Sequence, residues 1–190
     1  MSPTRLMRVW LQHAVDQEVP KAAAMCLSTI SRDGKPSSRM VLAAEVDQRG
    51  ISFFTDARSP KVEHLIARPY ASGLFYWPSL GRQMRIDGKV EGLPDASAEA
   101  DFDSKTPQQR AMIAFAEQSA ERPTLAAIRR RIEGRIEVDG FPSARPGHWK
   151  GFLLVPQKVE FLRAGANRLN RRLRLDQNTY GRWFCKALEP

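Results

Sequence analysis

Four side chains between positions 39 and 61 could together bind an anion. Arg39 lies inside an apolar run, where a cation is costly to bury unless an anion meets it. A second apolar run ends in Thr55, Ser59 and Lys61, which supply two hydroxyls and an ammonium. If the two runs pair as a hairpin, these groups can approach one pocket suited to a phosphate monoester. The alternative is a β-hairpin that carries ordinary surface charges.

The composition is that of a globular protein. The 190 residues are most simply one domain, residues 1–190, with 42% apolar and 27% charged residues. No apolar run approaches the roughly 20 residues needed to cross a bilayer, and the N-terminus lacks the pattern of a signal peptide. We therefore expect a cytoplasmic protein without a membrane segment.

The net charge of +9 raises nucleic acid as a partner. The excess is concentrated at positions 129–131 and 168–174, and no aromatic residues interleave with these clusters as a stacking platform requires. Binding of small anions explains the charge equally well, so we expect no nucleic acid. Cys26 and Cys185 lie far apart without metal-ligand spacing, which predicts no metal site.

Apolar periodicity and turn residues predict the elements of secondary structure. The predicted helices are 4–18, 61–67, 95–104, one from 107 that ends at Gln118-Ser119, and 124–138. The predicted strands are 22–30, 36–46, 51–54, 70–77, 82–93, 151–162, 172–175 and 182–187. In the first helix, Thr4 is the expected N-cap, and one face carries Leu6, Val9, Trp10, His13 and Ala14.

This order of elements predicts the fold class. Consecutive hairpins, a group of helices and then more strands favour an antiparallel barrel or sandwich of the α+β class. No Gly-rich dinucleotide or P-loop motif is present, and no nucleophile with an adjacent base can be assembled. If the protein is an enzyme, a cofactor supplies the reactivity, and the anion-binding residues suggest a cofactor that carries a phosphate.

Seven short motifs occur in the order found in one known family. The motifs are Arg39-Met40-Val41-Leu42, Phe54-Thr55, Ser59-x-Lys61, Arg82-Gln83, Gln118-Ser119, Arg168-Leu169-x-x-Arg172, and Trp183 with Leu188-x-Pro190. Each motif alone is weak, but the collinear set covers nearly the whole chain. The sequence resembles the pyridoxamine 5'-phosphate oxidase family.

That resemblance implies an antiparallel split β-barrel with a helical insertion and an N-terminal helix, assembled as a homodimer with FMN at the subunit interface. By matching position, the FMN phosphate would be held by Arg39, Ser59 and Lys61. The flavin and ribityl chain would be lined by Met40, Val41, Leu42, Phe54 and Thr55, with Gln118 and Ser119 nearby. Gln83 and Arg172 would come from the second subunit. Leu162 replaces a tryptophan that packs beside the flavin, and Pro60 replaces an arginine near the phosphate.

The residues that bind the substrate phosphate in this family are changed here. A lysine, a tyrosine, an arginine and a serine of the family are replaced by Ala44, Asp101, Lys105 and Gln109. Asn170 stands at the position of a substrate-facing histidine. Because an aspartate repels a phosphate dianion, binding of vitamin B6 phosphates is disfavoured while flavin binding is retained.

The chain resembles the phenazine-biosynthesis flavin oxidases within this family, in its VLAAE, ASGLFYW and Leu93-Pro94-Asp95 segments. That branch implies oxidation of a reduced phenazine carboxylate by hydride transfer to FMN, with reoxidation by O2 to give H2O2. Arg168 and Asn170, with Lys105 and Arg171, are the candidates to meet the substrate. Two alternatives remain open: a pyridoxamine or pyridoxine 5'-phosphate oxidase, and a non-catalytic flavin- or haem-binding module.

Overall fold

The computed structural model describes residues 2–116 and 124–190, and every side chain among them except that of Arg168. The α-helices of these residues are α1 (Pro3–Asp16), α2 (Pro60–Ala67), α3 (Asp95–Asp103), α4 (Pro107–Phe115) and α5 (Leu125–Asp139). The strands are β1 (Ala24–Ile30), β2 (Pro36–Val46), β3 (Ile51–Asp56), β4 (Tyr70–Trp77), β5 (Arg82–Gly92), β6 (Trp149–Arg163), β7 (Arg171–Gln177) and β8 (Trp183–Leu188).

The described strands form one sheet in the order β3-β2-β1-β4-β5-β6-β7-β8, in which β3 also pairs with β6. The second pairing closes six strands into a barrel, and β7 and β8 extend the sheet beyond it. The neighbouring strands whose register is defined run antiparallel. The predicted antiparallel barrel with a helical insertion and an N-terminal helix is therefore confirmed.

Two predicted hairpins set the register at the start of the sheet. Gly34, at φ +82°, makes the Asp-Gly turn between β1 and β2, since glycine takes a positive φ without steric cost. In the resulting register Arg39 lies opposite Leu27. After the turn at 47–50, β2 pairs with β3 through a bulge between Ala43 and Glu45.

The chain divides into two compact units. The first comprises residues 1–53, 64–91 and 152–190, and the apolar face of its strands and the buried face of α1 form one core. Aromatic rings contribute much of that core: Phe75 stacks on Trp77, and the Trp77 indole donates to the carbonyl of Ala22 over 2.9 Å. Burial alternates along β5, with Met84 and Ile86 fully buried.

The second unit comprises residues 54–63 and 92–151 and holds the three inserted helices. Helix α4 begins at Pro107 as predicted, and α5 begins at Leu125, one residue after its predicted start. Thr106 forms a capping box with Gln109, and the Thr124 hydroxyl accepts from the backbone N–H of Ala127. The predicted end of α4 at Gln118-Ser119 lies outside the described residues.

Two predictions for α1 are wrong. The helix begins at Pro3, so its N-cap is Ser2, and Thr4 lies in the first turn. Proline favours this start because its fixed φ suits the first helical position. Val9 is 55% exposed, whereas Met7 is completely buried, because the buried face is centred on Met7 and Ala14.

Within the described residues, no helix combines the length and apolarity that a bilayer span requires.

Strand β6 passes so close to β5 that only glycine fits at the crossing. A Cβ atom on Gly88 would overlap the backbone carbonyl of Val155 and lie 3.0 Å from the Cα of Pro156. Because both obstacles are backbone atoms, they cannot move aside without disturbing the pairing of β6 with β5.

We therefore expect Gly88→Ala to lower the free energy of unfolding by about 1–3 kcal/mol or more, as overpacking does in other cores. Urea unfolding of the purified protein measures this loss. Gly92→Ala is the matched control in the same strand, since a Cβ there meets nothing within 4 Å. Equal losses for the two variants would contradict the assigned crossing.

Candidate functional site

Three buried polar side chains converge where β3 ends and α2 begins. The Lys61 ammonium donates to the hydroxyl of Ser59 over 2.8 Å and to that of Thr55 over 3.1 Å. All three residues are at most 5% exposed. Strand β3 continues through Thr55 to Asp56, beyond its predicted end at Phe54, so Thr55 is held by the sheet instead of by a turn.

The turn at 56–59 is shaped by the Asp56 carboxylate. Its Oδ1 accepts from the backbone N–H of Arg58 over 2.8 Å, and both oxygens accept from the Arg58 guanidinium. The backbone carbonyl of Asp56 accepts from the Ser59 hydroxyl over 2.7 Å. This turn leads directly into α2, whose N-terminal N–H groups favour a nearby anion.

Burial alone would raise the pKa of Asp56, but several effects outweigh it. Hydrogen bonds from the Arg58 side chain and backbone, together with the charges of His148 and Arg58, hold the pKa of Asp56 below its usual value. The carboxylate is therefore ionised whenever the turn is formed near neutral pH.

Arg39 lies on the core-facing side of β2. Its Nη1 donates to the Leu27 carbonyl over 3.1 Å and to the Thr29 hydroxyl over 2.7 Å, and its Nη2 donates to the Ser37 hydroxyl over 2.9 Å. Burial lowers the pKa of the Arg39 guanidinium, and an electrostatic interaction with Cys26 partly opposes this lowering. Among the described residues, all of its partners are neutral oxygens, so its charge still favours an anion.

Thr29 and His64 hold Arg39 in place. The Thr29 hydroxyl, which accepts from Arg39, also lies 3.0 Å from Nδ1 of His64 on α2. Thr29 is completely buried, so its hydroxyl is fixed between the guanidinium and the imidazole.

The residues after Arg39 alternate between the two faces of β2. Met40 and Leu42 are 61% and 67% exposed, whereas Val41 packs against the core. Arg39 and Val41 therefore lie on one face of β2, and Met40 and Leu42 on the other. In the second unit, the Phe54 ring packs over Gly151, where a Cβ atom would come within 2.7 Å of the ring.

The candidate residues of the inserted helices are bound to one another. The Asp101 carboxylate accepts from the Lys105 ammonium over 2.7 Å and from the Trp149 indole N–H over 2.9 Å. The Asp101 side chain is only 8% exposed. Gln109 is engaged in the capping box with Thr106.

The remaining candidates lie on β5, β6 and β7 and in the loop after β6. Gln83 is partly buried on β5, and Leu162 on β6 lies directly opposite Arg172 on β7. The Arg172 guanidinium is bonded to the carboxylate of Glu160. The Asn170 side chain accepts from the backbone N–H of Gly165.

Arg168 lies in the same loop, on a short 3-10 helix, Ala166–Arg168. Gln118 and Ser119, which were predicted to lie near the flavin, fall outside the described residues.

Comparison with known proteins identifies the family. Residues 11–139 match the pyridoxamine 5'-phosphate oxidase family model, and residues 149–190 match the model of the pyridoxine 5'-phosphate oxidase C-terminal dimerisation region. The chain belongs to the pyridoxamine 5'-phosphate oxidase family. A pyridoxine/pyridoxamine 5'-phosphate oxidase of Ralstonia nicotianae is 37% identical over 189 residues, which cover 100% of this chain and 89% of that protein.

Two solved structures of the family extend the comparison. PhzG from Burkholderia lata 383, in complex with tetrahydrophenazine-1-carboxylic acid, superposes with a TM-score of 0.93 at 31% identity, covering 100% of this chain and 93% of that one. A pyridoxamine 5'-phosphate oxidase-related, FMN-binding protein of Nostoc punctiforme has a TM-score of 0.82 at 18% identity, covering 100% and 99%. The second likeness concerns the fold alone.

Sequence reasoning did not single out several of these residues. Glu160 interrupts an apolar run between Val159 and Phe161, the same signal that drew attention to Arg39. Thr29 is a polar residue at a core-facing position of β1, which alternation with Leu27 indicates. No sequence signal pairs Thr29 with His64, because the two residues are 35 positions apart.

The lowered pKa of Asp56 predicts how stability depends on pH. A carboxyl group with a depressed folded-state pKa contributes stability above its unfolded value of about 3.9, and this contribution is lost as pH falls below it. We expect the difference in unfolding free energy between the wild type and Asp56→Asn to be constant above about pH 5 and to shrink below about pH 4.

Urea unfolding at several pH values measures this difference. Asp33→Asn, at an exposed turn residue, is the control and should keep the wild-type pH profile. A difference for Asp56→Asn that does not change with pH would exclude the charged Asp56–Arg58 contact as its cause.

Proposed function

We propose that this protein is an FMN-dependent oxidase of reduced phenazine carboxylates that works as a homodimer. The cofactor is FMN, in keeping with the family. The match of residues 149–190 to a dimerisation region supports the homodimer, with Gln83 and Arg172 reaching the FMN of the other subunit.

The chemistry of two described clusters fits the FMN phosphate. Thr55, Ser59 and Lys61 present two hydroxyls and an ammonium beside the N-terminus of α2, and Arg39 carries a partly desolvated charge that no carboxylate of the described residues neutralises. A phosphate dianion is stabilised by charge-assisted hydrogen bonds from groups of these types. We assign these four residues to the FMN phosphate.

FMN, when bound, supplies the two-electron acceptor that no side chain provides, with dioxygen as the final acceptor. The protein has to bind and orient the substrate and exclude water. A reduced phenazine becomes aromatic as it loses hydride, so little acid–base help is needed. Arg168, with Asn170 as a further candidate, would meet the substrate carboxylate and fix its orientation.

The pairing of Asp101 with Lys105 is the observation that favours a phenazine carboxylate over a vitamin B6 phosphate as the substrate. Its buried carboxylate takes up the Lys105 ammonium, and Gln109 is used to cap α4. Ala44, which lies on β2, contributes no charge at all. The positions at which the family resemblance puts the substrate-phosphate contacts thus offer a paired lysine and a carboxylate, which disfavour a second phosphate dianion.

The structural likeness to PhzG supports the same reading, because that relative is described in complex with a tetrahydrophenazine carboxylic acid. The second candidate function is oxidation of pyridoxine or pyridoxamine 5'-phosphate. This second candidate is favoured by relatives that are named pyridoxine/pyridoxamine 5'-phosphate oxidase and are up to 39% identical to this chain. The distinction between the two depends on the substrate end of the site, since both functions use the same cofactor.

The assignment of the FMN phosphate predicts that Arg39→Ala and Lys61→Met each weaken FMN binding about tenfold or more, because each removes a charge-assisted contact. Fluorescence titration of FMN with the full-length apoprotein measures the affinity. Arg49→Ala is the control, since Arg49 forms an exposed pair with Glu91. Unchanged FMN affinity in both test variants would remove these residues from the phosphate site.

The choice of substrate predicts that kcat/KM for tetrahydrophenazine-1-carboxylic acid exceeds that for pyridoxine 5'-phosphate at least about tenfold, a difference of roughly 1.4 kcal/mol in transition-state stabilisation. Oxygen consumption by the FMN-loaded enzyme measures both. A preference for pyridoxine 5'-phosphate would favour the second candidate. Bound FMN that neither compound reduces would indicate a non-catalytic flavin module.

The variant Asp101→Asn tests whether Asp101 disfavours pyridoxine 5'-phosphate as a substrate. It keeps an oxygen that can accept from the Trp149 indole but removes the charge that pairs with Lys105. We expect kcat/KM for pyridoxine 5'-phosphate to rise relative to the wild type, since a freed ammonium favours a phosphate. No rise would remove Asp101 as the determinant of specificity.

A further inference from the structure

Glu160 is a buried carboxylate in the middle of β6. It is 4% exposed and lies between the core residues Val159 and Phe161. Burying an ionised carboxylate is costly unless other groups pair with it and bond to its oxygens. The structure supplies those groups from the two neighbouring strands.

Two guanidiniums hold this carboxylate from opposite sides. On β7, Arg172 donates from both Nε and Nη2 to Oε1, over 3.0 and 2.8 Å. On β5, Arg85 donates from Nη2 to Oε2 over 2.9 Å. Arg85 also lies within salt-bridge distance of Asp87, with 3.8 Å between Nε and Oδ2.

These contacts fix the orientation of Arg172. Nε and Nη2 are held by Glu160, and Nη1 donates to the backbone carbonyl of Glu189 over 3.1 Å. A guanidinium has five N–H groups in a rigid plane. With three held, two remain for a ligand within the part of the chain that the structure describes, and the Arg172 side chain is still 29% exposed.

We infer that Glu160 positions Arg172 for FMN. The inference rests on the proposed function, in which Arg172 contacts the cofactor. The carboxylate holds the planar group at one angle before FMN arrives, so less side-chain entropy is lost on binding. Glu160 acts through Arg172 and does not itself touch the cofactor.

A purely structural role for the cluster makes a different prediction. Buried ion pairs are weak contributors to stability, and removal of one partner chiefly penalises the charge left behind. If Glu160 only joins the strands, its loss lowers stability and leaves the FMN affinity of the folded protein unchanged.

The test is a double-mutant cycle on the full-length chain, with Glu160→Gln, Arg172→Gln and the combined variant. FMN fluorescence titration gives the dissociation constant, and thermal unfolding of the apoprotein gives stability separately. We expect each single variant to raise the dissociation constant about tenfold. The combined variant should raise it no further than Arg172→Gln does, because Glu160 acts only through that residue.

Arg85→Gln is the matched control, since it removes the other partner of Glu160 and leaves both bonds to Arg172 in place. It should lower the unfolding temperature and change the FMN dissociation constant less than about twofold. If Glu160→Gln does not fold, Glu160→Asp keeps the charge with a shorter reach and should give an intermediate loss of FMN affinity.

Additive effects of Glu160→Gln and Arg172→Gln would overturn the inference, as would an equal loss of FMN affinity in Arg85→Gln. Weaker binding in Arg172→Gln with wild-type binding in Glu160→Gln would overturn it and leave the proposed function intact. No effect of Arg172→Gln would remove Arg172 from the cofactor site and the inference with it. The proposed oxidase function is tested separately, by the substrate assays and by the FMN affinity of the Arg39→Ala and Lys61→Met variants.

Discussion

The close approach of β6 to the segments beside it is the constraint on which the barrel depends. The carbonyls of two successive residues, Leu154 and Val155, lie against Gly50 and Gly88, where any Cβ atom would overlap them. Side chains at these glycines would push β6 away from the segment that starts β3 and from β5. The closed sheet, and with it the face of β6 that carries Glu160, follows from backbone contacts that only glycine permits.

Two charged residues within apolar strands differ in whether their hydrogen-bond partners carry the opposite charge. Glu160 is neutralised inside the fold by two guanidiniums, so it orders the strands beside it and one arginine in particular. Arg39 is bonded to neutral oxygens alone among the described residues, and burial lowers its pKa. A desolvated cation without a carboxylate remains suited to an anion from outside the chain. The charge of Glu160 is therefore met inside the fold, whereas no carboxylate of the described residues meets that of Arg39.

In the proposed function, cofactor binding and substrate choice depend on different residues. The hydroxyls and the ammonium near the start of α2 keep the chemistry of a phosphate site. In the inserted helices, one acidic side chain takes up the lysine that the family resemblance assigns to substrate. A change of one or two side chains in such a position can redirect an oxidase without altering its flavin chemistry, because the cofactor performs the electron transfer.

The sequence by itself determined the order of elements and limited the fold to an antiparallel barrel or sandwich, since apolar alternation, turn glycines and helix caps are local signals; the family resemblance selected the barrel. Sequence reasoning predicted Thr4 as the N-cap of α1, although Pro3 is itself a local signal for the start of a helix. It also placed Val9 on the apolar face of α1, and the burial of that position depends on which residues meet the core. The pairing of Lys105 with Asp101 has the local i,i+4 spacing of a helical ion pair, which the sequence already contains. Only the tertiary structure decided that His64 meets Thr29 and that Glu160 holds Arg172, because each of these pairings joins residues on different elements and no local pattern records it.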